Sequence, residues 1–153
     1  MKTRFVVGEK ETESFGMSLA PLLHAGDVLW LRGELGAGKT VFARGVARGL
    51  GVRGPVASPT FTLLHVYDQA DIPMTHLDLY RLEDADAFYD AGLAEFVGGR
   101  YVSLVEWPDR CAEALPEARL EIAIERAGTP ETRAITLTPM GGFREMEDIC
   151  IRC

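Results

Sequence analysis

The stretch GELGAGKT, residues 33–40, decides the predicted fold because it matches the phosphate-loop pattern GxxxxGK(S/T). The apolar run VLWL, residues 28–31, precedes it and is typical of a strand buried on both faces of a parallel sheet. Residues 39–50 follow with apolar side chains on one helical face, and Gly51 stands where helices often end. Strand, glycine-rich loop and helix in this order predict an α/β fold of the P-loop class.

Further strands and a helix are predicted on either side of this unit. Residues 3–7 predict a short strand, and Thr12 is expected to cap the start of a helix that Pro21 should kink or shorten. Residues 62–68 and 74–80 predict an antiparallel hairpin, because a turn containing aspartate and proline separates two runs of strand-forming residues.

The second half of the chain predicts one helix and three strands. An acidic helical stretch is expected over residues 83–96, and a buried strand over residues 101–105. Residues 119–125 and 132–138 alternate in polarity and predict a closing antiparallel pair.

The bulk composition bounds the class of protein. A chain of 153 residues, 47% of them hydrophobic, suffices for one compact domain. We expect this domain to span residues 1–140, followed by a poorly ordered tail over residues 141–153. The net charge of −7 opposes tight binding to nucleic acid by the chain itself. The N-terminal segment has no secretory signal and no apolar run is long enough for a bilayer, so we expect a cytoplasmic protein.

The cysteines do not form a metal-binding pattern. Cys111 is isolated, whereas Cys150 and Cys153 form a CxxC pair at the C-terminal end. A zinc site would need two more ligands at suitable spacing, and none of the three histidines stands in tandem with a cysteine. We therefore expect the terminal pair to stay reduced, without a metal or redox role.

The residue types of the loop predict a grip on the polyphosphate of ATP. The glycines let the backbone curl so that its N–H groups, together with the positive end of the next helix, point at phosphate oxygens. Lys39 supplies a cation near the β- and γ-phosphates, and the Thr40 hydroxyl is a candidate magnesium ligand. The ATP-binding residues predicted in the loop are Gly33, Gly36, Ala37, Gly38, Lys39 and Thr40.

Two acidic residues at predicted strand ends are candidates for metal and water chemistry. Asp78 follows residues 74–77, and Glu106 follows residues 102–105. A carboxylate at the carboxyl end of a buried strand lies beside the crevice where nucleotides bind in open α/β sheets. Either acid is a candidate for holding magnesium, and either is a candidate for orienting the attacking water. With Lys39 they form the predicted catalytic set.

Four motifs together resemble one family, the bacterial TsaE proteins, formerly known as the YjeE ATPases. The motifs are GELGAGKT at 33–40, SPTF at 58–61, HLDLYR at 76–81 and VEW at 105–107. The resemblance implies a single-domain P-loop NTPase-like three-layer fold, in which antiparallel strands are added to a central parallel sheet.

The resemblance also implies a function. TsaE proteins are magnesium-dependent ATPases required for the threonylcarbamoyladenosine (t6A) modification of tRNAs that read codons beginning with adenine. Hydrolysis is expected to be slow in the isolated protein and to reset the complex of the TsaD and TsaB proteins between turnovers. The chain would then meet tRNA only through that complex.

Positions that match the family carry expected roles. Thr40 and Glu106 are expected to coordinate magnesium, with Asp78 supporting the metal or the water. Ser58 and Thr60 lie in a loop that resembles a nucleotide-sensing switch. Trp107, Tyr80 and Arg81 are candidates for a partner or nucleotide contact. Thr12, Arg110 and Arg133 are candidates for ATP by their approximate position in the chain, without a motif match.

Two other classes of function stay open from the sequence. Many compact P-loop proteins are small-molecule kinases, although no arginine-rich lid follows Glu106. A nucleotide-dependent binding module would hydrolyse negligible ATP and control the assembly of a partner. A GTPase is disfavoured because the sequence has no NKxD element for guanine.

Overall fold

The computed structural model describes residues 1–146, which form seven strands and three α-helices. The strands are β1 (Lys2–Val7), β2 (Val28–Arg32), β3 (Leu64–Tyr67), β4 (Met74–Asp78), β5 (Val102–Glu106), β6 (Arg119–Ala127) and β7 (Thr129–Met140). The α-helices are α1 (Gly8–Leu19), α2 (Lys39–Gly49) and α3 (Ala85–Asp90), and short 3-10 helices span Ala20–Leu22, Ala94–Phe96 and Pro108–Ala114.

The strands form one mixed sheet in the order β1-β7-β6-β2-β5-β4-β3. Its centre is parallel, since β2 pairs with both β6 and β5, and β5 pairs with β4. The outer strands are antiparallel to their neighbours: β3 flanks β4 at one edge, and β7 and β1 extend the sheet beyond β6 at the other. The predicted P-loop-like α/β fold, a central parallel sheet with added antiparallel strands, is confirmed.

Apolar cores on both faces of the sheet give the molecule three layers. α1 and α2 pack together over one face, and α3 packs with the 3-10 helix Pro108–Ala114 over the other. Successive residues of a strand point to opposite faces. In β2, Leu29 and Leu31 therefore enter the first core, and Val28 and Trp30 enter the second. This confirms the prediction that the strand before the loop is buried on both sides.

Glycines allow α1 and α2 to touch through their backbones. A Cβ atom on Gly16 would lie 2.5 Å from the carbonyl oxygen of Phe42, and one on Gly45 would collide with the carbonyl oxygen of Glu13. Beside this contact, Arg44 Nη2 donates a hydrogen bond of 3.0 Å to the Glu13 carboxylate. The close approach holds α2, and with it the loop at its N-terminus, against the β1–α1 unit.

Thr12 does not cap α1, so that prediction is wrong. Gly8, with a φ of 78°, lets the chain turn directly from β1 into the helix, which begins at Gly8 itself. Thr12 is therefore a buried residue within α1, and its hydroxyl donates to the Gly8 carbonyl at 2.9 Å. Pro21 lies in the 3-10 helix that follows Leu19, as expected from the inability of proline to continue an α-helix.

Two other predicted elements are shorter in the structure. The helix predicted over residues 83–96 is divided into α3 and a 3-10 turn, with Gly92 at a φ of 72° between them. The first hairpin strand begins at Leu64, because the amides of Thr62 and Leu63 both bond to the Pro59 carbonyl in a turn. The antiparallel pairing of the hairpin is confirmed.

The first residues of the predicted tail pack against the domain. The Arg144 guanidinium donates to both carboxylate oxygens of Asp27 at 2.6 and 2.8 Å, and Met146 is buried in the first core. Cys150 and Cys153 lie outside the described residues, and the division at residue 140 stays a prediction. In the part of the chain that the structure describes, no helix is long and apolar enough to cross a membrane.

We expect Gly45→Ala to lower the free energy of unfolding by about 1–3 kcal/mol, because the new methyl group would force α1 and α2 apart. Replacing an exposed helical glycine by alanine normally stabilises a protein by up to about 1 kcal/mol. The sign of the change in unfolding free energy therefore distinguishes the two situations. Urea denaturation measures it. The control Ser14→Ala, on the exposed face of α1, should change stability by less than about 0.5 kcal/mol. Equal or higher stability of Gly45→Ala would contradict the backbone contact.

Candidate functional site

The loop between β2 and α2 adopts a backbone that its glycines make accessible. Gly36 and Gly38 have φ values of 81° and 108°, in the left-handed region that favours glycine. Gly38 is the N-cap of α2, and Lys39 and Thr40 are its first residues. The first amides of a helix have no partner within the helix. The loop and helix start therefore present N–H donors and a positive dipole end, which together suit an anion.

Two buried carboxylates lie at the carboxyl ends of neighbouring strands. Asp78 ends β4, Glu106 ends β5, and the two residues are direct partners in the parallel register. Their side chains share a cleft of about 720 Å³ with Lys39 and Thr40. The exposed fractions of Asp78 and Glu106 are only 4% and 3%. The structure thus brings the predicted acids and the predicted phosphate loop into one place.

Lys39 is held between an acid and an aromatic ring. Its Nζ lies 3.6 Å from Glu106 Oε1 and 5.1 Å from the centroid of the Trp107 ring. Trp107 has a φ of 54°, an unusual value for a residue with a side chain and one often found at functional sites. The Tyr80 ring lies against Trp107 at 5.0 Å, and the Arg110 guanidinium lies 5.2 Å from the Tyr80 centroid.

The segment SPTF, residues 58–61, is tied to both acids. The Thr60 hydroxyl donates to Asp78 Oδ2 at 3.2 Å, and the Ser58 hydroxyl lies 3.5 Å from Glu106 Oε2. The two hydroxyls are 2.9 Å apart and share a hydrogen bond. A change in the coordination of either carboxylate would therefore reach this loop directly, as a switch role requires.

The ionisation of Glu106 is set by its neighbours. Burial raises the pKa of the carboxyl, but the hydrogen bond and charge of His76 and the nearby Lys39 lower it more. The pKa consequently lies below the ordinary value of 4.5. At neutral pH the group is a carboxylate, the form that binds a metal cation.

His76 is a site residue that the sequence analysis did not select. It lies in the middle of β4, is fully buried, and its Nε2 is 2.8 Å from Glu106 Oε2. The sequence did contain one signal for His76. Residues two apart on a strand share a face, and His76 is two residues before the predicted site residue Asp78. Its burial and its partner on β5 depend on tertiary structure and have no local signature.

Thr12 and Arg133 lie on the other side of the phosphate loop. They line a smaller cleft of about 210 Å³ together with Gly36, Ala37 and Gly38. Arg133 Nε donates to the Ala37 carbonyl at 2.9 Å, so the arginine also fixes the loop backbone. Their predicted contact with ATP stays a prediction.

Arg81 and Arg110 are outside the lining of both clefts. The Arg81 guanidinium lies 4.6 Å from the Phe61 ring centroid, and Arg110 covers Tyr80. Tyr80 and Trp107 themselves line the larger cleft. The structure therefore brings the predicted aromatic contacts to the site and leaves both arginines on its rim.

The oxygen donors of the larger cleft fit a magnesium ion. Magnesium is usually held through one or two carboxylates, with waters and substrate phosphates completing an octahedron. The Thr40 hydroxyl and the carboxylates of Asp78 and Glu106 are hard oxygen ligands of that kind, and all three line the cleft. The donor set therefore suits a metal that arrives with a phosphorylated ligand.

The sheet order, the loop and the acids at the strand ends define a P-loop nucleotide-binding protein. Residues 6–135 match the model of the family described as "Threonylcarbamoyl adenosine biosynthesis protein TsaE". The chain therefore belongs to the TsaE family, which takes part in tRNA threonylcarbamoyladenosine biosynthesis.

Individual relatives agree with the family match. The tRNA threonylcarbamoyladenosine biosynthesis protein TsaE of Bacillus subtilis is 46% identical over 140 residues, which cover 92% of this chain and 87% of that protein. The TsaE protein of Streptomyces coelicolor is 43% identical over 146 residues, which cover 89% and 95%. The crystal structure of Bacillus subtilis YdiB superposes with a TM-score of 0.78 and 39% identity, over 92% of this chain and 86% of that chain.

The lowered pKa of Glu106 predicts a pH-dependent contribution to stability. A carboxyl whose pKa is lower in the folded chain stabilises the fold above its unfolded pKa, and the stabilisation is lost as the pH falls through the folded value. The unfolding free energy of the wild type minus that of Glu106→Gln should therefore be constant above the ordinary pKa of 4.5. Below pH 4.5 this difference should decrease, because the wild type loses stability that the glutamine variant never had. Denaturant titrations at several acidic pH values measure this.

The exposed Ser14→Ala is the control, because it leaves every titrating side chain in place and its difference from wild type should not vary with pH. If the Glu106→Gln difference also stays constant down to acid unfolding, the pKa of Glu106 is not lowered by its neighbours.

Proposed function

We propose that this protein binds Mg·ATP in the cleft of about 720 Å³ and hydrolyses it in support of t6A biosynthesis. One observation carries the proposal. Lys39 and Thr40, at the start of α2, face two buried carboxylates that the parallel register sets side by side, Asp78 and Glu106. P-loop NTPases hydrolyse nucleotides with this combination of lysine, hydroxyl and strand-end acid.

Phosphate binding follows from the loop and the helix start. The amides of residues 36–40 and the dipole of α2 would hold the β-phosphate, and Lys39 would exchange its contact with Glu106 for the β- and γ-phosphates. Thr40 and Glu106 would hold magnesium, which when bound neutralises charge that develops on the phosphate oxygens.

Asp78 is the better candidate for positioning water. Its two carboxylate oxygens are already oriented, because Oδ1 accepts from the Tyr80 amide at 3.0 Å and Oδ2 accepts from the Thr60 hydroxyl at 3.2 Å. A fixed carboxylate of this kind can hold either a water of the metal or the attacking water. The bond to Thr60 would transmit the state of the γ-phosphate to the segment at 58–61.

Slow turnover in the isolated protein is part of the proposal. P-loop proteins gain about 10³–10⁵ in rate from an arginine that contacts the transferred phosphate. Within residues 1–146, no arginine lines the cleft, and Arg110 on the rim packs on Tyr80. A partner that rearranges the rim or supplies the missing charge would therefore accelerate hydrolysis.

The rim of the cleft has an apolar surface that suits a protein partner. Leu35, Tyr80 and Trp107 line the cleft and are exposed, and Phe61, which follows the lining residue Thr60, is exposed as well. The exposed fractions of Leu35 and Phe61 are 95% and 80%. Contiguous exposed apolar side chains are typical of interaction sites. We propose that the complex of TsaB and TsaD docks on this rim, where binding would also contact the nucleotide site.

We expect ATP hydrolysis by the purified protein to rise when TsaB and TsaD are added. Lys39→Ala and Glu106→Ala should each lower the stimulated rate at least about a hundredfold. The first removes a cation from the phosphates, and the second removes a ligand of the magnesium that would neutralise them. Phosphate release measures the rate. The exposed Lys10→Ala and Glu113→Ala are matched controls and should hydrolyse ATP at the wild-type rate.

Two outcomes would replace the proposal by another function. Nucleotide binding and complex formation without hydrolysis would identify a nucleotide-dependent binding module. The lack of a lining arginine in the part of the chain that the structure describes also favours this function. Transfer of the γ-phosphate to an acceptor instead of water would identify a kinase.

Phe61→Ser should weaken binding to the TsaB–TsaD complex roughly tenfold, because exposed aromatic residues commonly dominate interface energies. The affinity for ATP should stay unchanged, since Phe61 is not among the residues lining the cleft. Calorimetry measures both. Phe5→Ser on β1, which is 64% exposed at the edge of the sheet opposite β3, should leave both affinities unchanged. Equal weakening by both variants would argue against docking on the rim.

A further inference from the structure

The imidazole of His76 is a fully buried polar group, and only one of its two ring nitrogens has a hydrogen-bond partner within residues 1–146. It has no exposed surface, and its Nε2 lies 2.8 Å from Glu106 Oε2. Its other ring nitrogen, Nδ1, is also buried and has no hydrogen-bond partner within residues 1–146. Since a carboxylate only accepts hydrogen bonds, Nε2 is the donor to Glu106.

Stability of the fold does not account for this side chain. A buried polar group costs free energy unless it is hydrogen-bonded, and half of the imidazole's hydrogen-bonding capacity is unused. The same face of the sheet carries Met74 and Leu104, so an apolar side chain would suit the local environment. The ring donates its hydrogen bond to Glu106, and this contact points to a role at that carboxylate.

A role in joining β4 to β5 does not account for it either. The two strands are paired along their whole length, from Met74 with Val102 to Asp78 with Glu106. On the opposite face of the sheet, the Thr75 and Ser103 hydroxyls are hydrogen-bonded at 2.8 Å and add a side-chain link. The strands are held together without the imidazole.

The contact distinguishes the two oxygens of Glu106. Oε2 accepts from His76 and lies 3.5 Å from the Ser58 hydroxyl, while Oε1 is the oxygen 3.6 Å from Lys39 Nζ. The terminal torsion of a glutamate side chain is broad, so an unsupported carboxylate would rotate. The imidazole ring is rigid and fixed in the sheet, so its hydrogen bond prevents that rotation.

We propose that His76 is a positioning residue, which orients the Glu106 carboxylate so that Oε1 faces the place where Lys39 and Thr40 hold phosphate and magnesium. This inference rests on the proposed function, because the carboxylate that His76 contacts lines the cleft proposed for Mg·ATP. Partners behind metal-binding carboxylates commonly act in this way, and their loss typically lowers metal affinity or activity by about 10–100-fold.

The test measures metal affinity without turnover. Mn²⁺ takes the place of magnesium, and its binding to the complex of the protein with ADP is followed by electron paramagnetic resonance. His76→Leu removes the hydrogen-bond donor and replaces the ring by an apolar side chain of similar size. Mn²⁺ should therefore bind roughly 10–100-fold more weakly. ADP affinity without metal should change by less than about twofold, because residues 36–40 carry it.

Two further substitutions separate orientation from folding. His76→Gln keeps an N–H donor at nearly the reach of Nε2 and should recover most of the Mn²⁺ affinity. His76→Asn also has a donor, but its shorter side chain does not reach Glu106, so it should behave as His76→Leu does. The asparagine variant keeps the test decisive if the leucine variant does not fold.

Thr75→Val is the matched control. It lies on the same strand, faces the opposite core and loses bonds to Ser103 and the Phe96 carbonyl. It should lower the melting temperature and leave Mn²⁺ affinity at the wild-type value. If the His76 variants lower only the melting temperature, or if His76→Gln is folded and does not recover Mn²⁺ affinity, the positioning role is wrong.

Failure of the proposed function gives a different result. A wild-type protein that binds Mn²⁺ with ADP but hydrolyses no ATP, with or without partners, would refute the ATPase and leave the His76 measurement intact. Loss of Mn²⁺ affinity in Glu106→Ala but not in His76→Leu would keep Glu106 as a metal ligand and overturn the role of His76.

Discussion

The in-register pairing of β4 with β5 is the constraint on which the candidate site depends. It sets Asp78 opposite Glu106, at the end of the sheet where β2 leads into the phosphate loop. A shift by one residue would turn every side chain of a strand to the other face. Glu106 would then enter the second core beside Leu77 of β4, where burial would leave its charge unpaired. The register that pairs β4 with β5 therefore also fixes the position of both acids.

Two buried acids side by side need compensation, and the neighbouring residues supply it. Like charges in a shared low-dielectric site would raise at least one pKa. Lys39 and His76 contact Glu106, whereas Asp78 receives hydrogen bonds from a hydroxyl and a backbone amide. The compensation comes from three different segments of the chain, so the acids, the phosphate loop and residues 58–61 form one coupled network. A ligand that moves any one of them acts on the other two.

The sequence was informative where the signals are local. A run of four apolar residues, a glycine pattern and a helical face lie within about twenty consecutive positions, and they predict the strand, the loop and α2. Acids after apolar runs predict Asp78 and Glu106 in the same way. Non-local features could not be read: β6 alternates as an antiparallel strand does, yet it also pairs in parallel with β2. Thr12 was misassigned because a glycine turn at Gly8 starts α1 earlier, and His76 acquires its role only through burial.

The charges in the cleft also indicate the form in which a nucleotide would enter. The cleft is lined by the acids Asp78 and Glu106 and by the cation Lys39, so acidic side chains outnumber basic ones among these three groups. Free ATP is itself an anion, so it would meet repulsion from both carboxylates at short range and in poorly screened surroundings. The magnesium complex would turn this repulsion into attraction, because the two acids would interact with the cation. The same carboxylates that oppose the bare nucleotide thus favour the metal complex, and this selects Mg·ATP before any chemistry begins.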